Sequence, residues 1–184
     1  MIIIGIDNGL TGAIAVLTPN GESVLPAPTL KEKTKGGKIK TKPDEKQMIN
    51  ILERIVEAVP PSRRTLEVHA FVEQAQAMPI IRKGKPTLGI QGTTSAFNYG
   101  TGHGIWRGML RALEIPYTLV SPRIWQKALL PDRMKDTKRA SIITTKRLFK
   151  GINLLPTERC KVESHGMSDA VLLAEYGRRL LEKK

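Results

Sequence analysis

Residues Met1–Leu17, MIIIGIDNGLTGAIAVL, decide how this chain is read. Ile2, Ile3, Ile4 and Ile6 form a short apolar run of the kind buried on both faces of a sheet. The run ends in a carboxylate, Asp7, followed by Asn8-Gly9, a tight-turn signal. A second apolar run, Ala13 to Leu17, comes next. This pattern predicts a hairpin of two central strands with one acid held where the first strand ends. A carboxylate placed there loses hydration, so a hydrogen bond, a cation or a metal must compensate it. Alternatively, Asp7 only caps the turn through its side chain. The stretch alone leaves both readings open.

Outward from the hairpin, Gly21–Leu25 predicts a third strand, stopped by Pro26 and Pro28. Lys31–Lys46, KEKTKGGKIKTKPDEK, carries seven lysines against Glu32, Asp44 and Glu45 and has almost no apolar residues. It predicts a mobile basic loop over 31–46, with Lys31, Lys33, Lys35, Lys38 and Lys40 as candidates for contact with a phosphate backbone. From Pro43, helical spacing of Met48, Ile51, Leu52, Ile55, Val56 and Val59 predicts a helix that Pro60-Pro61 ends. Leu66–Gln74 reads as a strand in which Leu66, Val68, Ala70 and Val72 alternate with Glu67, His69, Phe71 and Glu73. It closes on Glu73 as the first strand closes on Asp7, and His69 reads as structural.

Ala75–Gly104 has no clear periodicity. Its Arg82, Lys83 and Lys85, its glycines and its aromatic Phe97 and Tyr99 suit backbone contact and base stacking. Ile105–Leu113 predicts a helix with Trp106 as core, Tyr117–Val120 a strand, and Ser121-Pro122 the start of another helix. Arg123–Lys150 holds nine Lys or Arg against Asp132 and Asp136. Arg123, Lys127, Lys135, Lys138 and Arg139 are its candidates for contact with nucleic acid. Asp136 or Thr137 caps a helix there. A last helix begins near Ser164, with an apolar stripe of Leu173, Tyr176 and Leu180 beside Ala170 and Gly177.

At 184 residues the chain fits one domain, expected to span 1–184. Its formal charge of +13 and pI near 10.1 point to a polyanionic partner, of which nucleic acid is the commonest. No basic amphipathic segment suggests a membrane surface. The single cysteine, Cys160, allows no internal disulfide. With no signal, transit or bilayer-spanning pattern, a cytoplasmic setting is expected.

Most of the seventeen acids lie in polar contexts. Three stand apart: Asp7 and Glu73 end apolar strands, and Asp169 sits one turn before Leu173 on the inward stripe of the last helix. His165, four residues before Asp169, shares its helix face. If that helix packs across the sheet, the three carboxylates share a pocket and repel one another unless a cation joins them. Carboxylates alone favour Mg²⁺ or Mn²⁺. In a strongly basic protein this suggests metal-assisted phosphodiester hydrolysis with two ions per site, one activating water and one steadying the leaving oxygen.

Taken in order, IIGIDNGLTGAIAVL, FVEQAQAMP, YGTGHGIWRGML, VSPRIWQKAL, KDTKRAS and HGMSDAVLLAEYGRR resemble the RuvC-type Holliday junction resolvases of the RNase H-like superfamily. The likeness is greatest to their phage and plastid branch. It implies an α/β RNase H-like fold, with a central mixed five-stranded sheet and helices on both faces. It also implies a homodimer, and divalent-metal-dependent endonuclease action on four-way and possibly other branched DNA. Paired nicks in strands of like polarity follow from the same resemblance. Asp7, Glu73 and Asp169 match family acids. Bacterial members carry another Asp three residues before the last acid, where this chain has Gly166. The plastid-like pattern places an acid four residues before, where it has His165, which then binds metal or orients water. Lys138 and Arg139 resemble the residues that steady the scissile phosphate. The family's aromatic at the junction centre falls on Gln76, leaving Met78, Phe97 or Tyr99 for that role.

Two other classes stay open. A non-catalytic binder of branched nucleic acid uses the same fold. An actin-like phosphotransferase uses a Gly-x-Asp-x-Gly-x-Thr turn, which Gly5–Thr11 fits, but such proteins duplicate the fold and this chain shows no internal repeat.

Overall fold

A computed structural model describes residues 1–75, 80–82, 85–87, 93–131 and 136–183; for 80–82, 85–87 and 93–95 it describes the backbone alone. The first half of the chain runs β1 (Ile2–Asp7), β2 (Ala13–Thr18), β3 (Gly21–Pro26), β4 (Thr29–Lys33), β5 (Ile39–Pro43), α1 (Glu45–Val56), α2 (Pro61–Glu67) and β6 (Val68–Glu73). The second half runs β7 (Ile80–Arg82), β8 (Lys85–Thr87), α3 (Thr93–Ala112), β9 (Tyr117–Val120), α4 (Pro122–Leu129), α5 (Thr137–Leu148) and α6 (His165–Glu182). The main sheet is five-stranded and mixed, in the order β3-β2-β1-β6-β9. The hairpin and β3 are antiparallel, whereas β6 and β9 run parallel to β1.

Side-chain alternation along β1 and β6 sorts the core into two layers. Ile4, Ile6, Ala70 and Val72 face α1 and α3, where they meet Met48, Leu52, Trp106 and Leu110. Ile3 and Phe71 face the other way, onto α4 and α6, against Trp125, Leu172 and Leu173. Asp7 and Glu73 share the parity of Ile3 and Phe71, so they emerge on the α6 side. Helix α6 crosses β1 so closely that a Cβ at Gly5 would overlap the carbonyl oxygen of Ala170. That close approach is what a glycine in mid-strand permits. Ser164 caps α6 and Asp136 caps α5, both through their side chains. Among the described residues no helix is long and apolar enough to cross a membrane.

Several elements differ from expectation. Residues 31–46 are not simply a loop: β4 and β5 pair antiparallel as a two-stranded ribbon. Neither strand buries a continuous face, so the apolar alternation that marks strands is missing. Helix α1 starts after Asp44, whose carboxylate accepts from the Gln47 amide at 3.1 Å, and Pro43 instead closes β5. Pro61 opens α2 rather than merely ending α1, and Leu66 and Glu67 belong to that helix, not to β6. Phe71 is 1% exposed because β6 is covered on both faces. Helix α3 begins a dozen residues earlier than Ile105; its threonines and glycines have weak helix propensity and hide it. Finally, residues 8–12 form a longer connection than an Asn-Gly turn.

Candidate active site

Strands β1 and β6 end side by side. Ile6 registers with Val72, so Asp7 and Glu73 are the next residues on two neighbouring strands. The first turns of α6 lie over these strand ends and add His165 and Asp169. These four side chains line one open cleft of about 440 Å³, whose rim also carries Tyr99 and Lys138.

Each strand-end acid is held in place. Asp7 Oδ1 accepts from the Gly9 amide at 3.1 Å, so the residue caps its loop and faces the cleft as well. Glu73 Oε1 accepts from the Tyr99 hydroxyl and Oε2 from the Trp125 indole N–H, each at 3.2 Å. Asn8, 3% exposed, donates its Nδ2 to the Glu73 carbonyl at 2.6 Å. The same nitrogen stands 2.9 Å from His103 Nδ1 on α3. Burial, helped by the Arg107 charge, lowers the His103 pKa against a hydrogen bond to the Glu73 backbone.

The acids are also electrostatically unrelieved. Burial raises the Glu73 pKa to about 7; the Asp7 charge adds to the rise, while the Trp125 and Tyr99 bonds oppose it. Burial likewise raises Asp169 to about 7, with Asp7 and Glu73 adding and Ser141 and Lys138 opposing. Asp7 is raised by burial against its Gly9 bond. Among the described residues none of the three forms a salt bridge. Burial, then the Lys138 charge, lowers the His165 pKa and leaves its ring neutral at pH 7, able to accept a proton or a metal. Among the described residues no group of three or more His, Cys, Asp and Glu is already gathered as a metal cage. The donors line an open cleft instead. An oxygen-rich, water-accessible set of mutually repelling carboxyls fits a hard divalent cation that keeps several waters.

Gly166, beside His165, is closely enclosed. A Cβ at Gly166 would overlap the Thr11 carbonyl oxygen, because the β1–β2 loop presses on the start of α6. No side chain fits there, whereas His165 beside it lines the cleft.

The remaining predicted residues scatter around this cleft. Lys138 borders it, and Arg139 lies in the adjoining groove between α5 and the segment before α6. Phe97 is 72% exposed, and Phe97 and Lys40 line a groove between α3 and the ribbon. Lys31, Lys33, Lys35 and Lys38 are exposed on the ribbon, and Arg123 and Lys127 on α4. Arg82 and Lys85 belong to β7 and β8, whose side chains are not described, while Gln76, Met78, Lys83 and Lys135 lie outside the described residues. Trp106 is core, at 1% exposed. Sequence reasoning missed Asn8, His103 and Trp125 as supports of Glu73. Asn8-Gly9 read as a turn, and the other two act across long sequence separations.

No family model and no curated protein sequence matches the chain. Among solved structures, Thermus thermophilus RuvC in complex with a Holliday junction substrate matches with a TM-score of 0.54 and 13% identity, over 98% of this chain and 96% of that one. This chain has a RuvC-like fold. A second Thermus thermophilus RuvC structure gives a TM-score of 0.46 and 15% identity over the same shares.

Proposed function

We propose that this protein is a structure-selective endonuclease that hydrolyses phosphodiester bonds in four-way DNA junctions, using Mg²⁺ or Mn²⁺. The observation that carries the reading is the convergence of Asp7, Glu73, Asp169 and His165 on one open cleft with no ion-pairing base among the described residues. The likeness of fold to a RuvC that binds a Holliday junction supports the substrate. The four-residue step from His165 to Asp169, with Gly166 blocked, favours the phage and plastid branch.

In this reading Asp7, Glu73 and Asp169 hold the divalent ions, and His165 completes the set or orients the attacking water. Divalent ions held there would supply Lewis acidity at the phosphoryl oxygen and acidify a water. Lys138, at the rim, offers its ammonium to the scissile phosphate. Tyr99 and Trp125 fix the orientation of Glu73, and Asn8 ties the β1–β2 loop to the end of β6. Two protomers acting on one junction give paired nicks in strands of like polarity.

The test compares wild type with Asp7→Asn on a synthetic four-way junction and on a linear duplex, with Mg²⁺ or Mn²⁺. The junction is nicked and the duplex spared by wild type, and Asp7→Asn binds without nicking. Binding without nicking by wild type supports the non-catalytic alternative, and ATP turnover supports the phosphotransferase.

A further inference from the structure

The ribbon β4–β5 has two unlike faces. Cross-strand partners in an antiparallel pair point the same way, so its register sorts the side chains beyond the Thr29–Pro43 pair at its base. Leu30 with Lys42 and Glu32 with Lys40 form one face. These four residues line the groove against α3, and Lys42 is salt-bridged to Glu32 at 2.9 Å. Lys31 with Thr41 and Lys33 with Ile39 form the opposite face. None of these lines that groove. All four are exposed, Ile39 at 71%, and no acid lies among them.

The outward face is also held at a defined place. The Asp44 amide bonds the Pro28 carbonyl at 3.0 Å across the ribbon's base, and Asp44 is at the same time the cap of α1. At the tip, the Thr34 amide bonds the Lys38 carbonyl at 2.8 Å and the Gly37 amide bonds the Thr34 carbonyl at 2.8 Å. Gly37 takes a positive φ of 78°, where glycine is unstrained. Lys35 and Lys38 extend the cationic row into this turn. Through Asn98, which lines both the α3 groove and the acid cleft, the ribbon stands beside the proposed site of hydrolysis.

We propose that the outward face of this ribbon, Lys31, Lys33, Ile39 and Thr41 with Lys35 and Lys38 at the tip, is a duplex-arm docking surface that grips DNA away from the scissile phosphate. The inference rests on the nuclease reading for its partner. A five-residue strand spans roughly 17 Å, about the run of five phosphates on one DNA strand. A two-stranded ribbon fits the major groove of B-DNA, and an exposed aliphatic side chain there meets thymine methyl groups. The inward face contributes little, because its charge is partly spent on Glu32 and it is turned toward α3. On this account Lys40 is not part of the DNA grip, although its lysine-rich surroundings group it with the others.

The test removes two charges from either face and leaves the total equal. Lys31→Ala/Lys33→Ala and Lys40→Ala/Lys42→Ala are titrated with a linear duplex and with a four-way junction, without divalent metal, across a salt series. The outer pair weakens duplex binding by about tenfold near 0.1 M salt and lowers the slope of log K against log salt by about 2. The inner pair changes binding by no more than about twofold. Equal losses from both pairs overturn the assignment of faces. An unchanged outer variant overturns the DNA partner and leaves an acidic protein as the occupant. Because binding is read without metal, failure of wild type to nick the junction contradicts the nuclease reading alone and leaves this result intact.

Discussion

Asp169 and Glu175 lie less than two turns apart on α6, and their surroundings differ in kind. Glu175 is 2% exposed and is answered by its own helix. Arg178 donates to its two oxygens at 2.8 and 2.9 Å, and Arg179 adds a bond at 2.6 Å. Burial pushes the Glu175 pKa upward, but these bonds outweigh it and leave the carboxyl below its usual range. Asp169 has only Ser141 and the nearby Lys138 against burial and two other acids, and its pKa rises to about 7. A carboxylate that supports the fold brings its cation with it. Those in the cleft leave that place open. Burial alone therefore does not mark a functional acid; burial without an ion-pair partner does.

Exchanging each acid for its amide breaks the comparison most sharply. If the proposed function holds, Asp169→Asn lowers junction nicking on the order of 10³-fold, since it would remove a donor to the divalent ions. Glu175→Gln leaves nicking per folded molecule unchanged, as gel assays on a labelled junction would show. In stability the two substitutions have opposite signs. Denaturant titration at pH 8 finds Glu175→Gln less stable by about 1–3 kcal/mol, having lost charge-assisted bonds. The metal-free Asp169→Asn protein gains about 1–3 kcal/mol, having lost an unpaired buried charge.

A smaller effect tests the support around Glu73. Tyr99→Phe removes one of its two side-chain bonds and lowers nicking about tenfold at saturating junction, with Kd for DNA unchanged. A tenfold loss in Kd with nicking intact would instead make Tyr99 a DNA contact. The smallest effect is on pH dependence. Glu73 and Asp169 hold protons in the folded state up to about pH 7, above their values of 4.5 and 3.8 in the unfolded chain. The folded state is thus the better proton binder between those limits, and stability falls as pH rises through that window. Glu175 works the other way. Its contribution is present above 4.5 and is lost as pH falls through its lowered folded value. Below pH 6.5 the lowered His103 and His165 act against the two acids, so melting curves of metal-free protein should slope downward most clearly between pH 6.5 and 7.5, and saturating Mn²⁺ should flatten them.

How much of this was legible in the sequence followed from what each segment buries. Asp7 and Glu73 could be singled out because an acid that ends an apolar strand violates the local pattern. Asp169 stood out on an inward stripe, Asp136 was one of two candidates to cap α5, and the last helix was expected to begin near Ser164. Glu175 did not stand apart from the other acids of polar context; Arg178 and Arg179, which follow it, are what allow it to be buried. The ribbon was illegible as strands because its lysines bury nothing continuous, and the first half of α3 because threonine and glycine are poor helix formers. Asn8, Tyr99 and Trp125 meet at Glu73 only once β1, α3 and α4 are assembled. Local pattern carries no record of that meeting.

The account stands most directly on whether the cleft acids, and not the interior one, bind a divalent cation. Calorimetric titration of Mn²⁺ into wild type, Asp7→Asn, Asp169→Asn and Glu175→Gln at pH 7.5, without DNA, reads this alone. The account predicts saturable binding by wild type and Glu175→Gln, and its loss in both cleft variants. Wild type that takes up no Mn²⁺, or cleft variants that bind it as wild type does, would contradict it.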